Sequence, residues 1–144
     1  MTACIDMRIA MRGMSVFVLA AALGACSTAP QPGRSPQAER DLQRLLAGKV
    51  PGKPVACLSD FQTKDLVVID DHTILYRDGR TIYRNDFRDG ACSNLSGGFH
   101  ALVTKRISGD LCNGDVAEVI DTTGGFIVGS CLMGDFVPYR PAAG

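Results

Sequence analysis

The side chains that could do chemistry in this sequence are six cysteines, two histidines and short clusters of Asp and Ser. Cys57, Cys92, Cys112 and Cys131 are separated by 35, 20 and 19 positions. Structural zinc sites bring their ligands in close pairs such as C-x-x-C, and the four form no such pair, so no metal or other cofactor is expected. His72 and His100 could act as bases, with Ser59, Ser93, Ser96, Ser108 and Ser130 as nucleophile candidates. A triad needs nucleophile, base and orienting acid to converge. No G-x-S-x-G elbow or S-x-x-K frames any of these serines, so no catalytic residue is assigned and the chain is not read as an enzyme. Asp70 and Asp71 are adjacent, and neighbours on a strand end point apart; they suit the capping of a turn. Asp110, Asn113 and Asp115 hint at a calcium loop, but their spacing fails the D-x-[DN]-x-[DN]-G pattern. Turn chemistry is the expectation there too.

Cys26 is different. Arg8 and Arg12 precede an apolar run from Met14 to Ala25 that ends in small residues. A charged start, a short apolar core and a small-residue cleavage site make a secretory signal. A bilayer span needs ~20 apolar residues, and this run is shorter. Leu23-Gly24-Ala25-Cys26 resembles the bacterial lipobox, whose small residues lie extended in a peptidase groove and whose thiol receives the lipid. Residues 1–25 are therefore expected to be removed, leaving Cys26 acylated. One acyl chain holds a membrane only marginally and two or more hold it firmly. Ser27 follows the cysteine where an Asp is absent, which by resemblance to such lipoproteins implies the bacterial outer membrane, facing the periplasm.

The oxidising compartment decides the remaining sulfurs. Cys57, Cys92, Cys112 and Cys131 are an even set in a small exported domain, and so read as two disulfides. Of the three connectivities, Cys57–Cys131 with Cys92–Cys112 is favoured, because it would join the first and last strands. Loss of residues 1–25 removes two of the 15 Lys/Arg and one of the 15 Asp/Glu, for a net charge of about −1. No basic stripe stands out, which argues against nucleic acid as a partner.

The elements that position these residues follow from pattern. Residues 26–34 are polar and Pro-rich, a flexible tether. An amphipathic helix is expected over 35–48, capped by Ser35, with Pro36 in its first turn and Gly48 as its stop. Ala38, Leu42, Leu45 and Leu46 share one face, to dock on the domain or, alternatively, on a partner. Pro51 to Pro54 breaks the chain before a β domain over 54–140. Strands are predicted at 55–58, 66–70, 73–77, 81–84, 100–105, 116–121 and 126–131, with a short tail strand near Phe136. Asp78-Gly79 and Thr122–Gly125 mark hairpins. A strict two-residue loop at Asp78-Gly79 would oppose Arg77 to Arg80. No helical pattern separates the strands, which predicts an all-β fold: a small antiparallel barrel or sandwich of six to seven short strands. Tyr76 and Tyr83, on paired strands, are candidates for an interaction face together with Leu42 and Leu45.

The leading Cys57, "VIDDHTILY" (68–76), the mid-chain Cys92, "LCNGD" (111–115) and "CLMGDFVPY" (131–139) together resemble a family of small proteobacterial secreted proteins and lipoproteins of unknown function. The resemblance spans about residues 55–139 and implies a domain boundary and four paired cysteines, not an activity. The expectation is an interaction or scaffolding module of the cell envelope, held to the membrane by its lipid and touching another envelope protein or peptidoglycan. An inhibitor of an incoming hydrolase such as lysozyme is the alternative.

Overall fold

The computed structural model describes residues 33–106 and 109–142. The signal segment, the lipidation site Cys26, most of the tether and Ser108 lie outside the described residues. The chain runs α1 (Pro36–Leu46), β1 (Lys49–Pro51), β2 (Cys57–Leu58), a 3-10 turn (Asp60–Thr63), β3 (Leu66–Val68), β4 (Thr73–Asp78), β5 (Thr81–Asp86), β6 (His100–Lys105), β7 (Leu111–Cys112), β8 (Val116–Asp121), β9 (Ile127–Leu132) and β10 (Phe136–Pro141). All pairing is antiparallel. One sheet has five strands in the order β1-β10-β5-β4-β3, a second has three in the order β6-β8-β9, and β2 pairs with β7. The fold is all-β with one helix, and the sheets do not close into a barrel.

α1 forms where the pattern places it. The Ser35 hydroxyl accepts from the Ala38 N–H at 3.1 Å, satisfying one of the free amides of the first turn, and Pro36 occupies the N-terminal turn, where its missing N–H costs nothing. Leu42 is buried against Leu75 and Ile82, with Leu45 and Leu46 packed around them. The helix therefore covers one face of the five-stranded sheet. On the other face Ile74, Tyr76, Tyr83 and Phe136 meet Ala117, Val119 and Cys131 of the three-stranded sheet in a single core. β4 is thus buried on both sides, which is why its first four residues carry no exposed position.

Three differences from the sequence reading have physical reasons. The β4–β5 hairpin sets Asp78 opposite Thr81 and Arg77 opposite Ile82, so its loop is Gly79-Arg80 and the two arginines never face each other. Gly79 sits at φ +55°, as the first loop position of a type II′ turn requires. The tail strand is not peripheral: β10 lies between β5 and β1, and β1 falls ahead of the predicted β boundary at residue 54. Tyr76 and Tyr83 are buried core residues, so they form no exposed interaction face, and Leu42 is buried on the opposite side of the sheet.

The disulfide connectivity is also corrected. The bonds are Cys57–Cys112 and Cys92–Cys131. β2 pairs with β7, which puts Cys57 directly opposite Cys112, while β10 and not β2 closes the large sheet. The closed loops span 55 and 39 residues, worth about 4 kcal/mol each in the chain-entropy model. Between β5 and β10, the buried Asn85 amide donates to the Gly134 carbonyl at 2.7 Å and accepts from the Gly134 N–H at 3.2 Å. A Cβ at Gly134 would stand 2.0 Å from the Asp86 carbonyl oxygen, so only glycine allows this approach.

Two outcomes follow from this core. Cys57 is exposed whereas Cys92 and Cys131 are buried, and thiol exchange needs access. Graded reduction with differential alkylation should therefore label Cys57 and Cys112 first, with the other pair protected until the domain unfolds. Burial pushes the Tyr76 hydroxyl up to about 12, against a smaller opposite pull from Arg106. The neutral phenol is thus favoured by folding: its contribution is whole below pH ~10, the unfolded value, and is lost as pH rises from there through about 12. Urea titrations should show a loss on the order of 2–3 kcal/mol over that window, and Tyr76→Phe should remove that component of the alkaline loss.

Candidate functional site

Asp70, Asp71 and His72 form the turn from β3 into β4, and the turn faces the N-terminus of α1. Between them lies an open cleft of about 220 Å³ lined by Gly33, Ser35, Ala38, Ile69, the three turn residues and Ser96. Ligand pockets commonly enclose ~300–1,000 Å³, so this one is small. Its polar groups are engaged in holding the chain. Asp70 Oδ1 accepts from the His72 and Thr73 amides, both at 2.8 Å. Asp71 Oδ1 accepts from the Ser96 amide at 2.7 Å. His72 Nδ1 is hydrogen-bonded to the Gly90 carbonyl, which sets Nδ1 as the donor. Ser35 is occupied as the helix cap. Among the described residues no hydrogen bond joins a serine hydroxyl to either imidazole.

Asp70 also belongs to a buried ion network centred on Arg34, which does not itself line the cleft. The Arg34 side chain is only 4% exposed; Nε donates to Asp70 Oδ2 at 2.6 Å and Nη1 to Glu39 Oε2 at 3.3 Å. Nη2 donates to the Thr73 hydroxyl, which in turn donates to Asp86 Oδ1 at 2.6 Å. Asp86 also pairs with Arg84 at 2.9 Å. Burial alone would lower the Arg34 pKa, but hydrogen bonding and attraction from Asp70 and Glu39 outweigh it and the pKa is raised. Arg34 was assigned to the tether by composition. It instead ties α1, the β3–β4 turn and the β4–β5 hairpin together. Composition could not find it, because its carboxylate partner Asp70 lies 36 positions away.

His100 does not line the cleft. It sits at the start of β6, where Nδ1 is hydrogen-bonded to the Asn94 carbonyl and Nε2 stands 3.9 Å from Asp121 Oδ2. Asp121 Oδ1 accepts from the Thr123 hydroxyl at 2.5 Å, the Thr123 amide at 2.7 Å and the Gly124 amide at 2.9 Å. These bonds, the Thr123 hydroxyl foremost, hold the carboxyl below its usual range. Asp121 is a hairpin cap. Asp115 acts in the same way, accepting from the Cys112 amide at 2.7 Å, and Asn113 reaches Asp135. Among the described residues no group of three or more His, Cys, Asp or Glu is gathered as a metal site would need.

What the sequence reading missed is apolar. On the β6-β8-β9 sheet, Leu102 and Val119 point into the core, so their neighbours Ala101, Val103, Val116 and Ile120 point outward. Val103 and Val116 are exposed, as is Ile127 at the end of this face. One ion pair crosses it, Lys105 Nζ to Glu118 Oε1 at 2.6 Å. Beyond its edge, Phe99 is 71% and Phe126 72% exposed. No family model matches the chain, and no significant match is found among curated proteins or solved structures.

Removing the Asp70 carboxylate would leave Arg34 buried with less compensation and the turn uncapped. Asp70→Ala should cost about 3 kcal/mol in urea denaturation, and Arg34→Met should cost less than Asp70→Ala because it strands no buried cation.

Proposed function

We propose that this protein is an outer-membrane lipoprotein that works by contact: a non-catalytic interaction or scaffolding module of the cell envelope, carried on acylated Cys26 and facing the periplasm. Two lines support the reading. The lipobox-like Leu23–Cys26 stands at the end of an apolar segment behind two arginines, and the first helix, α1, begins ten residues after Cys26. The observation that carries the contact function is the apolar outer face of the β6-β8-β9 sheet, with Val103, Val116 and Ile127 open to solvent. Scattered exposed apolar residues are ordinary, whereas a grouped set on one sheet face is what a binding surface presents. The cleft beside His72 supports no comparable case for catalysis, since its carboxylates are spent on backbone amides and Arg34. Peptidoglycan and another envelope protein are the partners this reading allows.

The anchor is tested first. Cys26→Ser should shift the protein from the membrane pellet to the soluble envelope fraction, and a wild-type chain that is soluble and carries no acyl mass would refute the reading. The contact surface is tested next with a photoreactive side chain at Val103, in intact cells. It should give a discrete adduct that Val116→Lys abolishes while Cys57–Cys112 and Cys92–Cys131 still form; an adduct pattern indifferent to Val116→Lys would count against this face.

A further inference from the structure

Phe99 and Phe126 lie at one end of the molecule, and it is the end from which the tether leaves. Gly33, the first described residue, shares the cleft with Ser96. From Ser96 the chain continues through Gly97 and Gly98 to Phe99. The Phe99 carbonyl accepts from both the amide and the hydroxyl of Thr122, at 2.8 and 2.7 Å, which joins this loop to the β8–β9 hairpin. At the hairpin's far side the Phe126 carbonyl accepts from the Asp121 amide at 2.9 Å. The two loops are therefore tied by backbone hydrogen bonds to the same segment, Asp121-Thr122, with Phe99 on one side of it and Phe126 on the other.

Their surroundings are unusual for a protein surface. Residues 93–99, Ser-Asn-Leu-Ser-Gly-Gly-Phe, and 122–128, Thr-Thr-Gly-Gly-Phe-Ile-Val, contain no charged side chain, and the flanking Asp121 carboxylate is turned onto the Thr123 and Gly124 amides as the hairpin cap. Phe99, Phe126 and Ile127 are 71%, 72% and 59% exposed. Large apolar side chains on uncharged, Gly-rich loops can enter the headgroup layer without dragging a charge out of water, and aromatic rings favour that interface.

Geometry supplies the occupant. From Cys26 to Gly33 is seven residues, a reach of roughly 25 Å at full extension. A domain of this size is ~35 Å across. An acylated chain on so short a tether keeps its exit face turned to the bilayer. We infer that the loops carrying Phe99 and Phe126 rest on the lipid surface, inserting their rings into the headgroup region and fixing the domain's orientation. This rests on the lipid-anchor reading. The 3-10 turn bearing Phe61 then points away: β6 leads from Phe99 to Arg106, a rise of ~20 Å, and Arg106 there donates to Asp60 at 2.8 Å.

The chain contains no Trp, so a single introduced indole reports its site alone. Full-length acylated protein carrying Phe99→Trp, Phe126→Trp or Phe61→Trp would be placed in vesicles of phosphatidylethanolamine and phosphatidylglycerol with brominated acyl chains. Phe61 is 78% exposed and serves as the distant control. Emission of F99W and F126W should be blue-shifted and lost to bromine quenching, with F61W unchanged. Equal quenching at all three sites, or none at 99 and 126, overturns the inference while leaving the anchor intact. A blue shift that needs high protein density and ignores bromine overturns it in favour of a second copy covering the tips. Acyl mass on Cys26 is measured on the same samples, and its absence overturns the anchor reading and the inference with it. Thiol counting under denaturation confirms both disulfides in each variant.

Discussion

Away from its turn, the β4–β5 hairpin is buried on both faces. One side of it receives Leu42 from α1 and the other receives Ala117 and Val119 from the second sheet. A ribbon buried on both sides needs apolar residues at consecutive positions, and Ile74-Leu75-Tyr76 and Ile82-Tyr83 supply them. It also needs its ends held, because the chain must turn out of the core where backbone polar groups would go unpaired. Thr73 and Asp86 close one end by their side-chain bond, and Gly79-Arg80 turns the other. Everything else is placed by this ribbon: the helix on one side, the second sheet on the other, and β3 and β10 along its two edges.

The polar residues that first suggest chemistry turn out to serve that placement. Asp70, Asp115 and Asp121 each accept from a backbone amide two or three residues away in a tight connection, and Asp71 accepts from the Ser96 amide of a distant loop. Short acidic side chains do this well because they reach an amide two or three residues onward. Arg34 adds a buried tie between distant segments. An ion pair this buried contributes little net stability, its attraction being set against desolvation, yet breaking it is costly. It is better understood as a device that admits only one seating of the helix on the sheet.

Much of this architecture was readable in the sequence. β4, β5, β6, β8 and β9 appear as β-branched runs between Asp, Gly and Asn, and Ser35-Pro36 announces α1, because caps, turns and period-two runs are local signals. The failures are non-local. The Cys57–Cys112 bond depends on β2 finding β7, two strands of two residues each that carry almost no pattern. The burial of Tyr76 and Tyr83 depends on a second layer that local alternation cannot see, and Arg34 depends on Asp70. The exposure of Phe99 and Phe126 and their place on either side of Asp121-Thr122 depend on hydrogen bonds that the sequence does not display. The candidate surfaces were the less legible half, since exposure is a property of the whole assembly.

The position of β10 has a bearing on how such a chain is completed. β1 finds its only named strand partner in β10, and β5 has β10 on its second edge. A polypeptide that emerges amino end first therefore waits, with two sheet edges open, until β10 appears. During that interval the exposed edges are the part of the molecule most prone to pair with a neighbour's. β10 is the keystone, so the domain is sealed by the last of its strands, however early its cysteines are joined.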